Sequence, residues 1–374
     1  MIGGSPLPTL QQLMQVIDKF APWELAESWD NSGLQLGNPE RSVHKVMLAV
    51  DFNQQVLDEG LTHGVDGYIV HHPFLFKPLK RLNLSTPSGR LAEALIRQGQ
   101  FLVSAHTNVD KAAGGINHYL AQMLELSHIE TLEASMVSSR KIVTFVPTND
   151  CQRLREVMAQ AGAGVIGDYT HCSFTVEGNG SFLPGQSAHP AVGSRGRLET
   201  VPEIRLEMIA PSSRVSAVIK AIYAHHPYEE PAIDIYPMDQ PTRHGLGRIG
   251  KLDSPQSLGV FCQRIKRLFH LNSLKMSGDP EKLVRTVAVC SGSGKSLLPQ
   301  VMAKRADVYV TADLAYHDYL EAQENGLALV DIGHWTSEQV FVDVITDLLK
   351  NSFPPEELQI VKCTTIQGDP YRYL

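Results

Sequence analysis

Tyr68-Ile69-Val70-His71-His72-Pro73-Phe74 is an apolar run that ends in two adjacent histidines and a proline. Side chains alternate across a strand, so neighbouring histidines reach one place only where the strand ends and the backbone turns, which the fixed φ of Pro73 enforces. Just upstream, Lys45 to Asp51 reads as a short apolar strand and Gln54 to His63 as a helix ended by Gly64. The segment therefore predicts a β-α-β unit with the His71/His72 pair at the carboxyl end of a parallel strand. Open α/β sheets place their ligands at that end, and neutral imidazole is the commonest nitrogen ligand of transition metals. The pair predicts the edge of a metal or catalytic site; the alternative is a surface turn that happens to hold two histidines.

The same device recurs downstream. A helix from about Arg90 to Gln98 leads into the strand Phe101 to Ala105, which ends in His106-Thr107-Asn108-Val109-Asp110. A second crossover thus brings a histidine and a carboxylate to the same end of the sheet. Upstream, Thr9 predicts the N-cap of an amphipathic helix to Phe20, and Trp29-Asp30-Asn31-Ser32-Gly33-Leu34 reads as a polar turn able to orient a neighbouring site. Toward the carboxyl end, the strand Val308 to Thr311 opens onto Ala312-Asp313-Leu314-Ala315-Tyr316-His317-Asp318, and Ala328 to Ile332 onto Gly333-His334-Trp335-Thr336-Ser337-Glu338. His334 and Glu338 are spaced to lie about 5–6 Å apart at Cβ on one helix face, a metal half-site. Carboxylates beside imidazoles suit zinc, iron or manganese, and a carboxylate able to bridge favours two ions.

Between these halves, residues 138–240 read as a separate inserted unit with the order strand, helix, strand, strand, helix, strand, the ferredoxin-like arrangement. It carries a second doublet, His225-His226-Pro227-Tyr228-Glu229-Glu230-Pro231, at a helix end, where the dipole alone favours histidines. Main-body segments, residues 1–135 and 243–374, flank it. After the strand Thr286 to Cys290, Ser291-Gly292-Ser293-Gly294-Lys295-Ser296 is similar to a phosphate loop, but Val289 stands where GxxxxGK[ST] needs glycine. Such a turn either holds an anion through backbone N–H groups or serves tight strand-to-helix packing.

With 374 residues, 43% of them hydrophobic and 20% charged, the chain is long enough for two or three domains with real cores. The net charge of −7 argues against a nucleic-acid or anionic-membrane binder. No run of about 18 apolar residues is present to cross a membrane, and the amino-terminal stretch lacks a secretory pattern, so the expected location is the cytoplasm. Five scattered cysteines without CxxC pairing fit buried thiols in a reducing compartment.

As an ordered set, Trp29 to Leu34, His71-His72-Pro73, His106 to Asp110, Thr311 to Asp318 and Gly333 to Glu338 closely resemble the NIF-three-like family. These are dinuclear-metal-centre hexameric proteins known as GTP cyclohydrolase I type-two homologues, here in the long form with a PII/CutA-like insert. The resemblance implies a two-lobed α/β main domain with helices on mostly parallel sheets and an inserted ferredoxin-like α+β domain. It implies that His71, His72, Asp110, His334 and Glu338 hold two divalent ions, with Asp110 and Glu338 as bridges. His106 and His317 are expected to orient ligands or transfer protons. It also implies a toroidal homohexamer with the inserts as lids, and a metal-dependent hydrolase acting on a nucleotide or related heterocycle. The alternative is a non-catalytic metal-binding or regulatory protein that senses or delivers metal or a small molecule.

Overall fold

Residues 7–77, 79–365 and 368–371 are described by the computed structural model. The chain divides into two compact units: Met1–Ser135 with Arg243–Leu374, and the intervening Met136–Thr242. Two long strands, Ser127–Pro147 and Ile233–Ser257, carry the chain through both boundaries.

The first unit is mixed α/β. One of its sheets has the order Gly33–Leu36, Phe101–Ser104, Gly67–Val70, Lys45–Ala49, Gln359–Lys362. The last four strands are parallel, and Gly33–Leu36 joins as an antiparallel edge. Gly33 and Leu34, read from sequence as the end of a polar turn, thus begin a strand. Strand alternation divides the sheet's side chains between two cores. Val46, Leu48, Ile69, Phe101 and Val103 pack with Leu10, Leu13 and Ile17 of the helix Leu10–Phe20 and with Phe341 and Ile345. Met47, Ala49, Tyr68, Val70 and Leu102 pack with Val56 and Leu57 of the helix Gln54–His63 and with Leu91 and Leu95. A parallel strand buried on both faces must read as a continuous apolar run, as Gly67–Val70 does. Local chemistry bounds the helices: Thr9 and Gln12 form a capping box, and Gly64 ends Gln54–His63 at φ +63.

In the second sheet of this unit, Ile233–Ser257 pairs antiparallel with Leu283–Ser293. Leu283–Ser293 runs parallel to Val308–Ala312, which runs parallel to Ala328–Asp331. Lys275–Met276 closes the edge antiparallel to Ala328–Asp331. The carboxyl ends of its parallel strands lead into Ser291–Gly294, Asp313 and His334.

In the unit Met136–Thr242, the helix Cys151–Gln160, the strands Phe174–Phe182 and Glu199–Pro211, and the helix Val215–His225 follow in order. Its sheet runs Phe174–Phe182, Glu199–Pro211, Ser127–Pro147, Ile233–Ser257 over a core that includes Ile142, Leu154, Met158, Leu206 and Ile222. The second strand of the unit, Phe174–Phe182, runs through Gly178-Asn179-Gly180, paired residue by residue with Glu199–Glu207. Ladder bonds need only backbone, so the glycines do not end it. Among the described residues no helix is long and apolar enough to cross a membrane.

Gly67 opens the strand that delivers the histidine pair and lies opposite Phe101. A Cβ there would fall 2.4 Å from the Phe101 ring and 2.5 Å from its carbonyl oxygen. Gly67→Ala is expected to destabilise the protein by about 1–3 kcal/mol through overpacking. Thermal unfolding monitored by circular dichroism should show a lowered midpoint, and an unchanged midpoint would contradict this packing.

Candidate metal centre

The buried carboxylate of Glu338 is the point on which the strand ends converge. Its Oε1 lies 3.6 Å from His71 Nε2, and its Oε2 lies 2.9 Å from His72 Nε2 and 3.1 Å from His334 Nε2. Asp110 Oδ1 approaches His71 Nε2 to 3.8 Å. The His106 ring stands 5.0 Å from that of His71 and 5.5 Å from that of His72. Ligand atoms of His71, His72 and His106 lie within 4.8 Å of one another, as do those of His72, His334 and Glu338. These are two groups able to hold a metal ion, and they share His72.

Each imidazole is oriented from behind. His71 Nδ1 meets the Ala105 carbonyl at 3.0 Å, His72 Nδ1 meets Asp51 at 2.8 Å, His106 Nδ1 meets Asp30 at 2.8 Å, and His334 Nδ1 meets Asp313 at 2.6 Å. A carbonyl or ionised carboxylate only accepts, so each neutral ring carries its proton on Nδ1 and turns the Nε2 lone pair inward. Histidines that ligate metal are held by this carboxylate or carbonyl arrangement. Asp30 is itself fixed by Ser32 Oγ and by the backbone N–H and hydroxyl of Thr107. Burial pushes its carboxyl pKa up, but the bonds from His106 and Thr107 hold it well below the usual range.

The residues fit a cation. His71 Nε2 and Glu338 Oε2 are buried, and neither makes a hydrogen bond among the described residues. An orphaned imidazole nitrogen beside an orphaned carboxylate oxygen costs free energy that a bound metal ion removes. Burial pushes the His72 pKa down, but Asp51 and Glu338 override it and raise it to about 10. Glu338, against the smaller opposing effect of burial, raises His334 to about 9, with help from Asp313. Burial lowers and the charges of Glu338 and Asp110 raise His71, which ends above the ordinary imidazole value. Burial raises Glu338, yet the three imidazoles hold it well below the carboxylate range. Burial dominates at Asp110 and, with the Glu338 charge, leaves it raised against the lowering effect of His71 and His106.

Backbone from the second sheet closes the floor. Ser291 Oγ donates to Asp110 Oδ1 at 3.2 Å, and Gly292 N–H donates to Ser337 Oγ at 2.8 Å. Ser291 N–H goes to Asn117 and Gly294 N–H to Thr311. These amides are therefore committed within the protein, and the loop similar to a phosphate loop serves packing against the centre. Arg248, buried, donates to the carbonyls of Gly245, Gly247, Ala112 and Ala113, and so ties down the end of the short helix Thr107–Lys111 that carries Asp110.

All five residues read from sequence as ligands come together, and His106 joins them with its own Nε2. His317 does not: it lies exposed at the start of the helix Tyr316–Glu324, edge-on to Tyr316. His226 is a turn residue, with Nε2 on the Phe145 carbonyl and Nδ1 accepting from Tyr228 N–H. Asp51 and Asp313 escaped the sequence reading as orienting groups. The available signal was position: each stands within two residues of the end of a strand.

The fold and site together define a mixed α/β protein whose strand ends gather imidazoles and carboxylates around a candidate metal centre. Residues 8–370 match the model of the Duf34/NIF3 (NGG1p interacting factor 3) family, and the chain belongs to that family. A Bacillus subtilis protein named GTP cyclohydrolase 1 type 2 homolog is 40% identical over 338 residues, 90% of each chain. The protein of the same name from Mycobacterium leprae is 40% identical over 368 residues, 97% of this chain and 94% of that one. Among solved structures, a Bacillus cereus protein related to NIF3 aligns with a TM-score of 0.82 at 35% identity, covering 99% of this chain and all of its own.

Two predictions follow from the geometry. Imidazoles held at about 9 and about 10 carry protons at neutral pH in the metal-free protein, so metal binding must release them and affinity must rise from pH 6 to pH 9. Calorimetric titration with zinc in buffers of different ionisation enthalpy counts the released protons; a pH-independent affinity would contradict the assignment. A Cβ on Gly292, which sits at φ +57, would fall 2.3 Å from Glu338 Oε1. Gly292→Ala should weaken zinc binding by about 10–100-fold, the range seen when a ligand loses its support, and an unaltered Kd would refute the supporting role.

Proposed function

We propose that the chain is a metal-dependent hydrolase acting on a nucleotide or related heterocycle, with two divalent ions held by His71, His72, Asp110, His334 and Glu338. Asp110 and Glu338 are the shared carboxylates in this reading. The observation that carries it is the convergence of inward-facing Nε2 atoms on a buried carboxylate, with His71 Nε2 and Glu338 Oε2 left without a hydrogen bond among the described residues. The name of the relatives, GTP cyclohydrolase 1 type 2 homolog, supports a nucleotide as the substrate class. Zinc, iron or manganese bound there supplies Lewis-acid polarisation and lowers the pKa of water.

The chain's own residues set direction and proton traffic. His71, Glu338 and Asp110 form the closed floor, whereas the His72 and His334 side chains are 27% and 33% exposed. Substrate therefore approaches over His72 and His334. Asp30 holds the Nδ1 proton of His106, which leaves Nε2 to take and return a proton at the floor of the site. Proton transfer is assigned to His106 in preference to the exposed His317.

A second reading, a non-catalytic metal-binding or regulatory protein, is favoured by one observation: the unit Met136–Thr242 has a cavity of its own, of about 680 Å³. We also propose a ferredoxin-like fold for that unit, supported by its strand order. A toroidal homohexamer, resting on the family resemblance, and a cytoplasmic location, resting on the sequence pattern, complete the proposal; six chain masses in light scattering would support the former.

Metal-loaded protein should turn over GTP or another member of a nucleotide panel. His71→Ala and Glu338→Ala should each lose at least ~100-fold of that activity together with bound metal, since removing an activating ion costs several kcal/mol of transition-state stabilisation. Tight metal binding without turnover of any panel member would discard the hydrolase and leave the regulatory reading.

A further inference from the structure

The motif His226-Pro227-Tyr228-Glu229-Glu230 plays no part in the metal centre, yet the structure spends several contacts on its shape. His226 bridges the Phe145 carbonyl and the Tyr228 N–H, so the backbone turns sharply and presents Tyr228 to its own unit. The Tyr228 hydroxyl donates to Glu203 Oε1 at 2.7 Å. Tyr228 and Glu203 both line the cavity of about 680 Å³, a volume in the range of sites for small organic ligands.

The walls of this cavity are chiefly apolar, with Phe145, Phe182, Leu183 and Tyr228 among them. The Phe182 and Tyr228 ring centroids are 6.3 Å apart. Its charges are one-sided: Glu177, Glu203, Glu229 and Glu230 line it, against Arg205 as the one cation among the described lining residues. Arg205 is already committed, through Nε to Glu207 at 2.7 Å and with its guanidinium 5.9 Å over the Phe145 ring. Glu229 Oε1 accepts from His189 N–H, which pins the loop at the mouth. Glu203 is buried, and its Oε2 lies against Gly180, where a Cβ would fall 2.1 Å away, so the strand needs glycine there to admit the carboxylate.

A buried carboxylate set beside aromatic faces in an apolar cavity is the chemistry that recognises an ammonium group. The carboxylate answers the charge, and the ring faces add cation–π attraction. An anion would meet four carboxylates and one guanidinium that is already paired with Glu207. A neutral apolar molecule would fill the walls but leave the acidic end without a partner.

We propose that the unit Met136–Thr242 is a binding site for a small organic cation, a protonated amine carried on an aromatic or apolar body, with Glu203 as the ammonium acceptor and Tyr228 and Phe182 as its wall. The site shares no residue with the metal centre, and the proposal holds whether or not that centre is catalytic.

The test is calorimetric titration of the full, metal-loaded chain with tryptamine and with indole-3-acetate, which share a ring and carry opposite charge. Tryptamine should bind once per chain and at least ten-fold more tightly than indole-3-acetate. Glu203→Gln, which keeps an acceptor for Tyr228, should weaken tryptamine at least ten-fold. Ala191→Trp, at an exposed lining position where added bulk narrows the cavity without touching the core, should weaken it as well. Equal affinity for the two indoles, tryptamine binding that survives both substitutions, or no tryptamine binding at all would overturn the proposal.

Discussion

A carboxylate taken out of water is held only by charge and hydrogen bonds brought to it, and Glu338 is in that position, buried with three imidazoles around its two oxygens. Much of the first unit's architecture answers this demand. Its first sheet ends at His71 and His72, its second at Gly333 and His334, and the bare Cα of Gly292 leaves room for Glu338 Oε1. Remove the imidazoles and an uncompensated charge remains in the core; remove the carboxylate and three imidazoles converge on nothing. Neither half of the arrangement is stable alone, which is why the two sequence segments that supply it are each backed by oriented partners.

Those partners also give the centre its asymmetry. The groups behind His71 and His106 are a buried carbonyl and the buried Asp30, whereas Asp51 and Asp313, behind His72 and His334, reach solvent. Orientation is rigid on the closed side and accessible on the open side. A site built this way holds its ligands at fixed angles while leaving one direction for exchange with solution, as either a hydrolase or a metal-responsive regulator requires.

Much of this was legible in the sequence, for physical reasons that differ by residue. His71-His72 announce themselves because an apolar run stops abruptly at them, Asp110 because it closes the polar stretch that follows the next strand, and His334 with Glu338 because helical spacing aligns them. The caps at Thr9 and Gly64 follow from local hydrogen bonding, which a few residues encode. What sequence could not reveal depends on contacts between distant segments. His106 entered the cluster, and not merely its surroundings, because Asp30 reaches it across 76 residues. The Ser291–Gly294 loop turned from a possible anion cradle into the floor of the centre because Asn117, Thr311 and Ser337 take its amides. Near-identical dipeptides also diverged: His71-His72 ends a buried strand facing carboxylates, while His225-His226 ends a helix and holds a turn.

The most direct measurement is anomalous X-ray diffraction from crystals of the protein grown with excess zinc, collected on both sides of the zinc absorption edge. The account predicts zinc peaks in contact with the Nε2 atoms of His71, His72 and His334 and with the Glu338 carboxylate. Zinc bound only elsewhere, or a centre in which these side chains remain without metal at saturating zinc, would contradict it.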